Sequence, residues 1–302
     1  MKLERSGFVA AMLFVCLASV RAQTPNHETK SKAASPAIDY QAWREPMEPF
    51  HVVGPIYYVG TKGLGAYLIK TSAGLILLNG ALPGSTGMIE SSIRKLGFKT
   101  EDIHLLLISH AHQDHVGTLA DFKKMTGASV EVLDEEVELL KSGGKADYLY
   151  SKRPKLYFQG VMADKVLKDG QVVTLGDVSL TARFTPGHTK GTTTWVMTVE
   201  DEGTRYLAVF PDGTGINPGT RLVRDPSYPG IAEDYKRTIS VLESLNPDIF
   251  LAYHAEFFDL AGKRARMKKE GVQAWVDPQG YKRQIAVPKA NLERQLAQEG
   301  AK

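Results

Sequence analysis

Apolar runs of strand length alternate with stretches of helical apolar spacing along most of this chain. Residues 66–69 and 75–78 are short apolar runs split by Thr71, Ser72, Ala73 and Gly74, which predicts two strands joined by a hairpin turn. Residues 85–96 carry apolar side chains at helical spacing and stop at Gly97, which predicts a helix with a glycine at its end. The mostly apolar run 103–108 predicts a buried strand, 116–125 a helix ended by Gly127, 129–133 a further strand and 135–140 a further helix. The period is lost over 143–165, where glycines, Pro154, Tyr148, Tyr150, Tyr157 and Phe158 predict a long loop with aromatic contacts of its own.

The second half is richer in strands. Runs at 171–174, 178–184, 192–198 and 206–210 suit a sheet, a helix follows over 231–245, and a strand over 249–251. Residues 288–298 predict a C-terminal helix with Pro288 in its first turn, where a missing N–H costs nothing. Strands with helices in both halves give a layered α/β fold, sheets inside and helices outside.

The ends and the charge narrow the setting. In the 302-residue chain, residues 1–22 read as a secretory signal: Lys2 and Arg5, an apolar core over 8–20, and a small-x-small site ending at Ala22. That predicts export to a periplasm. Residues 23–37 read as a loose polar extension. Cys16 is the only cysteine and lies in the signal, so the exported chain has no disulfide and no thiolate ligand or nucleophile. The net charge is +3, of which Lys2, Arg5 and Arg21 against Glu4 make +2; the remaining charge of about +1 argues against nucleic acid or a membrane surface as partner.

The chemistry concentrates directly after the run 103–108. Ser109-His110-Ala111-His112-Gln113-Asp114-His115 packs four metal-binding side chains into six positions where a strand gives way to a loop. His110 and His112 share a direction if the loop stays extended; His115 falls out of that phase. Four ligands from one short loop would crowd a single ion, which favours a second metal. His188, in Thr-Pro-Gly-His-Thr-Lys-Gly, and His254, in Ala-Tyr-His-Ala, also follow strands. Of the eight histidines, His27, His51 and His104 have no motif around them and read as solvated or locally satisfied. Ser-x-x-Lys occurs at 92–95 and 142–145, but neither Ser-Asp-Asn nor Lys-Thr-Gly accompanies it, so a serine nucleophile of that kind is poorly supported. Ser109 reads as a hydrogen-bonding neighbour of the metal loop, and Trp195 and Tyr235 as packing residues.

These stretches resemble the metallo-β-lactamase superfamily. The runs 187–195 (Gly-His-Thr-Lys-Gly-Thr-Thr-Thr-Trp), 228–237 and 276–281 are similar to the third subclass of the class B β-lactamases (subclass B3), and Asn79, where many superfamily hydrolases carry Asp, is compatible with it. The resemblance implies one domain over 38–302, folded as a four-layer αβ/βα sandwich with two zinc ions at one sheet edge. It places the first zinc on His110, His112 and His188, and the second on Asp114, His115 and His254. Asp114 would also orient the attacking water. The implied activity is hydrolysis of the β-lactam amide, carbapenems included, by metal-bound hydroxide, in a monomer whose partner is the small-molecule substrate.

The segment 211–217 departs from the subclass, which often has two serines there to hold the substrate carboxylate. Thr214, Arg221 and the backbone N–H groups of the segment's glycines are the replacements the sequence offers. Two other readings remain open. One is a different binuclear hydrolase on this fold (lactonase, glyoxalase-type thioesterase or phosphodiesterase) with Asp212 bridging the metals. The other is a non-catalytic zinc-binding protein, which would need closed coordination, whereas three ligands per ion leave a position open.

Overall fold

The computed structural model describes residues 38–301; the signal reading of 1–22 and the extension 23–37 lie outside the described residues. Two sheets form the interior. The first holds β1 (Phe50–Val53), β2 (Ile56–Tyr58), β3 (Tyr67–Thr71), β4 (Gly74–Leu78), β5 (Ile103–Leu107), β6 (Ser129–Leu133) and β7 (Lys165–Leu167), in that spatial order. It is antiparallel from β1 to β4 and parallel from β4 to β7. The second runs β12 (Ile249–Phe250), β11 (Thr204–Phe210), β10 (Thr193–Asp201), β9 (Val178–Phe184) and β8 (Val172–Leu175).

The first sheet is covered on both faces, which explains why its strands read as continuous apolar runs. Tyr67, Ile69, Ile76, Leu78, Leu105 and Leu107 point one way, into a core shared with Leu180, Ala182, Trp195, Met197 and Phe210 of the second sheet. Leu68, Leu75, Leu77, Leu106 and Val130 point the other way. They pack on α1 (Thr86–Lys95), α3 (Leu119–Thr126) and α4 (Val137–Ser142) through Ile89, Ile93, Leu119, Phe122 and Leu140. Across the molecule, α5 (Ile231–Ser244) and α7 (Pro278–Gly300) add Tyr235, Ile239, Leu242, Tyr281 and Ile285 to the same buried cluster. The layers are helix, sheet, sheet, helix: the αβ/βα sandwich. Two further helices are α2 (Gln113–Val116), at the end of the β5 loop, and α6 (Leu260–Glu270), between β12 and α7.

The C-terminal helix corrects one expectation. It starts ten residues before Pro288, at Pro278, which occupies its first turn; the Asp277 carboxylate caps it by accepting from the Gly280 N–H at 2.7 Å. Pro288 lies inside the helix, where its missing donor is outweighed by the burial of Tyr281 and Ile285 before it and Leu292 after it. Among the described residues, no helix is long and apolar enough to cross a membrane.

Candidate metal centre

All the candidate ligands lie where strands of the two sheets end. β5 stops at Leu107 and delivers His110 and His112; β9 stops at Phe184, and the loop into β10 carries His188; β12 stops at Phe250 and is followed by His254. His112 keeps extended backbone (φ −98°, ψ 152°) and caps α2, whose single turn carries Asp114 and His115. That change from extended to helical backbone turns His115 away from the direction of His110 and His112.

The result is two groups. His110, His112 and His188 each bring one nitrogen within 4.8 Å of the others, and Asp114, His115 and His254 do the same with their ligand atoms. The rings are fixed from behind. His110 Nδ1 donates to Asp212 Oδ2 at 2.7 Å, His112 Nε2 to Asp147 Oδ2 at 3.0 Å, and His188 Nδ1 to the Gly215 carbonyl at 2.7 Å. Each bond ties one ring nitrogen and leaves the other for the cluster, which is how proteins orient histidine ligands. His115 Nδ1 sits 3.3 Å from the Asn79 amide nitrogen, and the His254 ring leans on Trp43, with centroids 5.1 Å apart.

The inner atoms test whether a metal suits the place. His110 Nε2 and His115 Nε2 are buried with no hydrogen-bond partner, a costly condition in a neutral cleft. Asp114 Oδ2 lies 3.2 Å from His115 Nε2 and 3.6 Å from His254 Nε2. Burial would raise the Asp114 carboxyl, but the facing imidazoles, His115 first, hold it well below the usual carboxylate range. Burial pushes His110 well below the ordinary histidine range and His254 down to about 4, so both offer lone pairs at neutral pH. Against its burial, the Asp147 carboxylate holds His112 above the ordinary histidine range. The neutral His110 and His254 rings, the ionised Asp114 and the unfilled inner positions fit a metal ion in each group.

Asp212, the candidate bridging ligand, falls in neither of the two groups. Its Oδ2 accepts from His110 and its Oδ1 accepts from the Gly213 N–H at 2.7 Å, so both oxygens are engaged behind the ligand. Thr214 lies in the loop after β11, between Gly213 and the Gly215 whose carbonyl holds His188. Arg221 is spent in its own loop, its Nε donating to the Asp225 carbonyl at 2.7 Å. Ser109 is fully buried, its N–H donating to Asn79 Oδ1 at 2.8 Å and its hydroxyl accepting from the Asn79 amide at 3.0 Å. His51 and His104 are satisfied locally, by the Gly54 and Ala73 carbonyls, both at 2.8 Å. Trp195 is buried in the core and donates from Nε1 to the Ile108 carbonyl at 2.9 Å, and the buried Tyr235 donates to the Gly215 carbonyl at 2.9 Å.

The aromatic loop divides. Phe158 is core, Tyr157 donates to the Ser151 carbonyl at 2.5 Å, and Tyr148 donates to the Gly187 carbonyl at 3.0 Å beside His188. Tyr150 stands 5.3 Å from the His112 ring and is half-buried at the rim. Sequence reasoning missed Asp147 and Glu136. Glu136 is buried among backbone donors, and burial pushes its carboxyl up to about 7. Neither residue lies in a motif; only the fold brings them to the site.

The family model described as the metallo-beta-lactamase superfamily matches residues 66–254. Among solved structures, the native FEZ-1 metallo-beta-lactamase from Legionella gormanii is 45% identical, with 85% of this chain and 98% of that chain covered and a TM-score of 0.83. BJP-1 of Bradyrhizobium japonicum, a subclass B3 metallo-beta-lactamase, is 40% identical, with 86% and 98% covered and a TM-score of 0.80. The class B3 di-zinc metallo-beta-lactamase LRA-12 from an Alaskan soil metagenome is 32% identical, with 87% and 100% covered and a TM-score of 0.82. The chain spans about half the length of the curated relatives it matches. With the His/Asp groups at the sheet edge and these matches together, the chain belongs to the metallo-beta-lactamase superfamily, on its subclass B3 branch.

Proposed function

We propose that this chain hydrolyses the amide bond of β-lactams with two zinc ions. The observation that carries the reading is the pair of three-residue groups, side by side at the strand ends, with unpartnered inner atoms, in a chain so similar to subclass B3 enzymes. His110, His112 and His188 would hold one zinc, and Asp114, His115 and His254 the other. Three ligands per ion leave each an open position, the pattern of catalytic rather than structural zinc. Bound zinc supplies a water acidic enough to ionise near neutral pH and positive charge for the oxygen and nitrogen of the breaking amide.

The chain's own residues do the rest. Asp114, held ionised by its imidazole neighbours, accepts a hydrogen bond from the attacking water and orients it. Asp212, Asp147 and the Gly215 carbonyl fix the rings of the first group. No protein nucleophile takes part: Ser109 is buried and engaged with Asn79, and Cys16 lies outside the catalytic domain. Thr214, in the loop beside His188, is the proposed contact for the substrate carboxylate; Arg221 would have to leave Asp225 to help.

The reading includes carbapenems among the substrates, a monomeric chain, and antibiotic inactivation as the outcome. It also takes 1–22 as an export signal to the periplasm, 23–37 as an extension and 38–302 as one domain. The test is a substrate panel with the purified zinc-loaded chain: a chromogenic cephalosporin, a carbapenem, a lactone, a thioester and a phosphodiester. Turnover led by the two β-lactams supports the reading. Turnover of the lactone, thioester or phosphodiester with both β-lactams untouched overturns it.

A further inference from the structure

Two loops carry the first group of ligands, and they come from different sheets. His110 and His112 follow β5 of the first sheet; His188 follows β9 of the second. Three side chains on two independent loops can meet one ion only if the loops are held at a fixed separation. Direct backbone bonding between them is sparse, with the Thr193 N–H donating to the Ser109 carbonyl at 2.7 Å.

Glu136 lies where both loops come together. It ends the short turn between β6 and α4, on neither ligand loop, and is only 1% exposed. Its Oε1 accepts from the N–H of Ala111, the residue between His110 and His112, at 2.5 Å. Its Oε2 accepts from the hydroxyl of Thr189, next to His188, at 2.8 Å and from the Gly191 N–H at 2.9 Å. Gly191 leaves room for this: a Cβ there would come within 2.3 Å of the Glu136 backbone nitrogen. Among the described residues no lysine or arginine pairs with Glu136. A buried carboxylate without a cation is costly unless its hydrogen bonds are needed.

We propose that Glu136 is a positioning residue for the first metal, one carboxylate clamping the His110–His112 loop and the His188 loop at the spacing the ion requires. The proposal rests on the reading that His110, His112 and His188 hold zinc. The clamp needs a carboxylate in particular. Two backbone N–H groups approach from opposite oxygens and neither can rotate. A glutamine has one oxygen, so in either orientation its NH₂ opposes an N–H, at Ala111 or at Gly191. The isosteric Glu136→Gln therefore opens one arm of the clamp while keeping the volume.

Stepwise zinc dissociation constants, from competition with a chromophoric chelator, test this on the wild type, Glu136→Gln, Glu136→Ala and Glu135→Gln, with thermal melting of each metal-free protein alongside. Glu135 is the exposed neighbour and removes the same charge. Removing an outer partner of a metal site costs about 10–100-fold in affinity; for the Gln variant about tenfold is expected in one of the two constants, with the other within about twofold and Glu135→Gln unchanged. Wild-type constants in both Glu136 variants, or equal weakening of both sites in step with a lower melting temperature, overturn the proposal. If the alanine variant does not fold, the glutamine variant decides. Amide hydrogen exchange in the metal-free wild type gives a check without any variant: Ala111 and Gly191 must be protected, and free exchange at both overturns the clamp. A wild type that binds no zinc refutes the parent reading instead, so the two failures are distinguishable.

Discussion

Replacing Asp212 separates two accounts of this centre. If Asp212 bridged the metals, its loss would strip both. In the structure it stands behind His110, 2.7 Å from Nδ1, with its other oxygen on Gly213. His110 is 2% exposed and the Asp212 side chain 16%. Asp212→Ala frees the ring to turn and leaves its N–H without a fixed acceptor. Outer partners of this kind are worth about 10–100-fold in metal affinity, about 1.4–2.8 kcal/mol at 1.4 kcal/mol per decade. Asp212→Asn can still accept from His110, but its NH₂ then faces the Gly213 N–H, so about tenfold is expected. The assay is zinc stoichiometry by elemental analysis together with stepwise dissociation constants. One weakened site and one near wild type is the expected result for both variants. Simultaneous loss of both sites, or an Asp212→Ala protein with wild-type affinity at both, refutes a role for Asp212 as the outer partner of His110 alone.

Other outcomes follow from the packing and the loop chemistry. Trp195 is buried between the sheets directly behind the metal loop; Trp195→Ala should cost about 3–5 kcal/mol in urea unfolding, and Trp195→Phe about 1–2 kcal/mol, chiefly from the Ile108 carbonyl it leaves unpaired. A Trp195→Ala loss below about 1 kcal/mol would contradict this packing. Lys263 is fully buried, with its Nζ 4.3 Å from the Phe250 ring and 3.2 Å from Asp277. Asp277, 27% exposed, keeps Arg283 and the Gly280 N–H as partners without Lys263, so Lys263→Met should change stability little or raise it by not burying a charge. Burial holds the Lys263 ammonium below its ordinary value. Above its folded pKa the unfolded chain binds more protons, so the wild type gains stability relative to Lys263→Met as pH climbs toward the ordinary lysine value; a stability difference that stays flat from neutral pH up to that value would count against it. Thr214→Ala should raise KM for a cephalosporin about ten- to a hundredfold with kcat nearly unchanged, the worth of one hydrogen bond to a charged carboxylate; an unchanged KM removes Thr214 from the substrate site.

How much the sequence disclosed depended on where the information lay. The strand at 129–133 and the hairpin 66–78 were legible because both faces of that sheet are covered, so apolar runs and turn residues agree. α6 was not legible: its exposed face is lysine and arginine, and only Leu260 and Lys263 are buried. β1 and β2 are short strands joined through Gly54 and Pro55, with an irregular register at His51 to Val53, which blurs a period-two signal. The start of α7 was hidden by reading Pro288 as a first-turn proline when Asp277-Pro278 already supplied cap and first turn. In the site, the six candidate ligands announced themselves by spacing and by their places after strands. Asp147 and Asp212 hold ligand rings from 35 and 102 residues away in the chain, Glu136 reaches Ala111 between two of the ligands from 25, and only the tertiary structure brings them there. Glu136 carries no sequence signal, because its partners are backbone N–H groups and a threonine.

The central claim is tested most directly by returning zinc to the metal-free protein while following hydrolysis of a chromogenic cephalosporin. Chelated chain should be inactive, and turnover should grow with added zinc and level off by two equivalents per chain. A folded protein that takes up two zinc ions and still leaves the β-lactam ring intact would contradict the account.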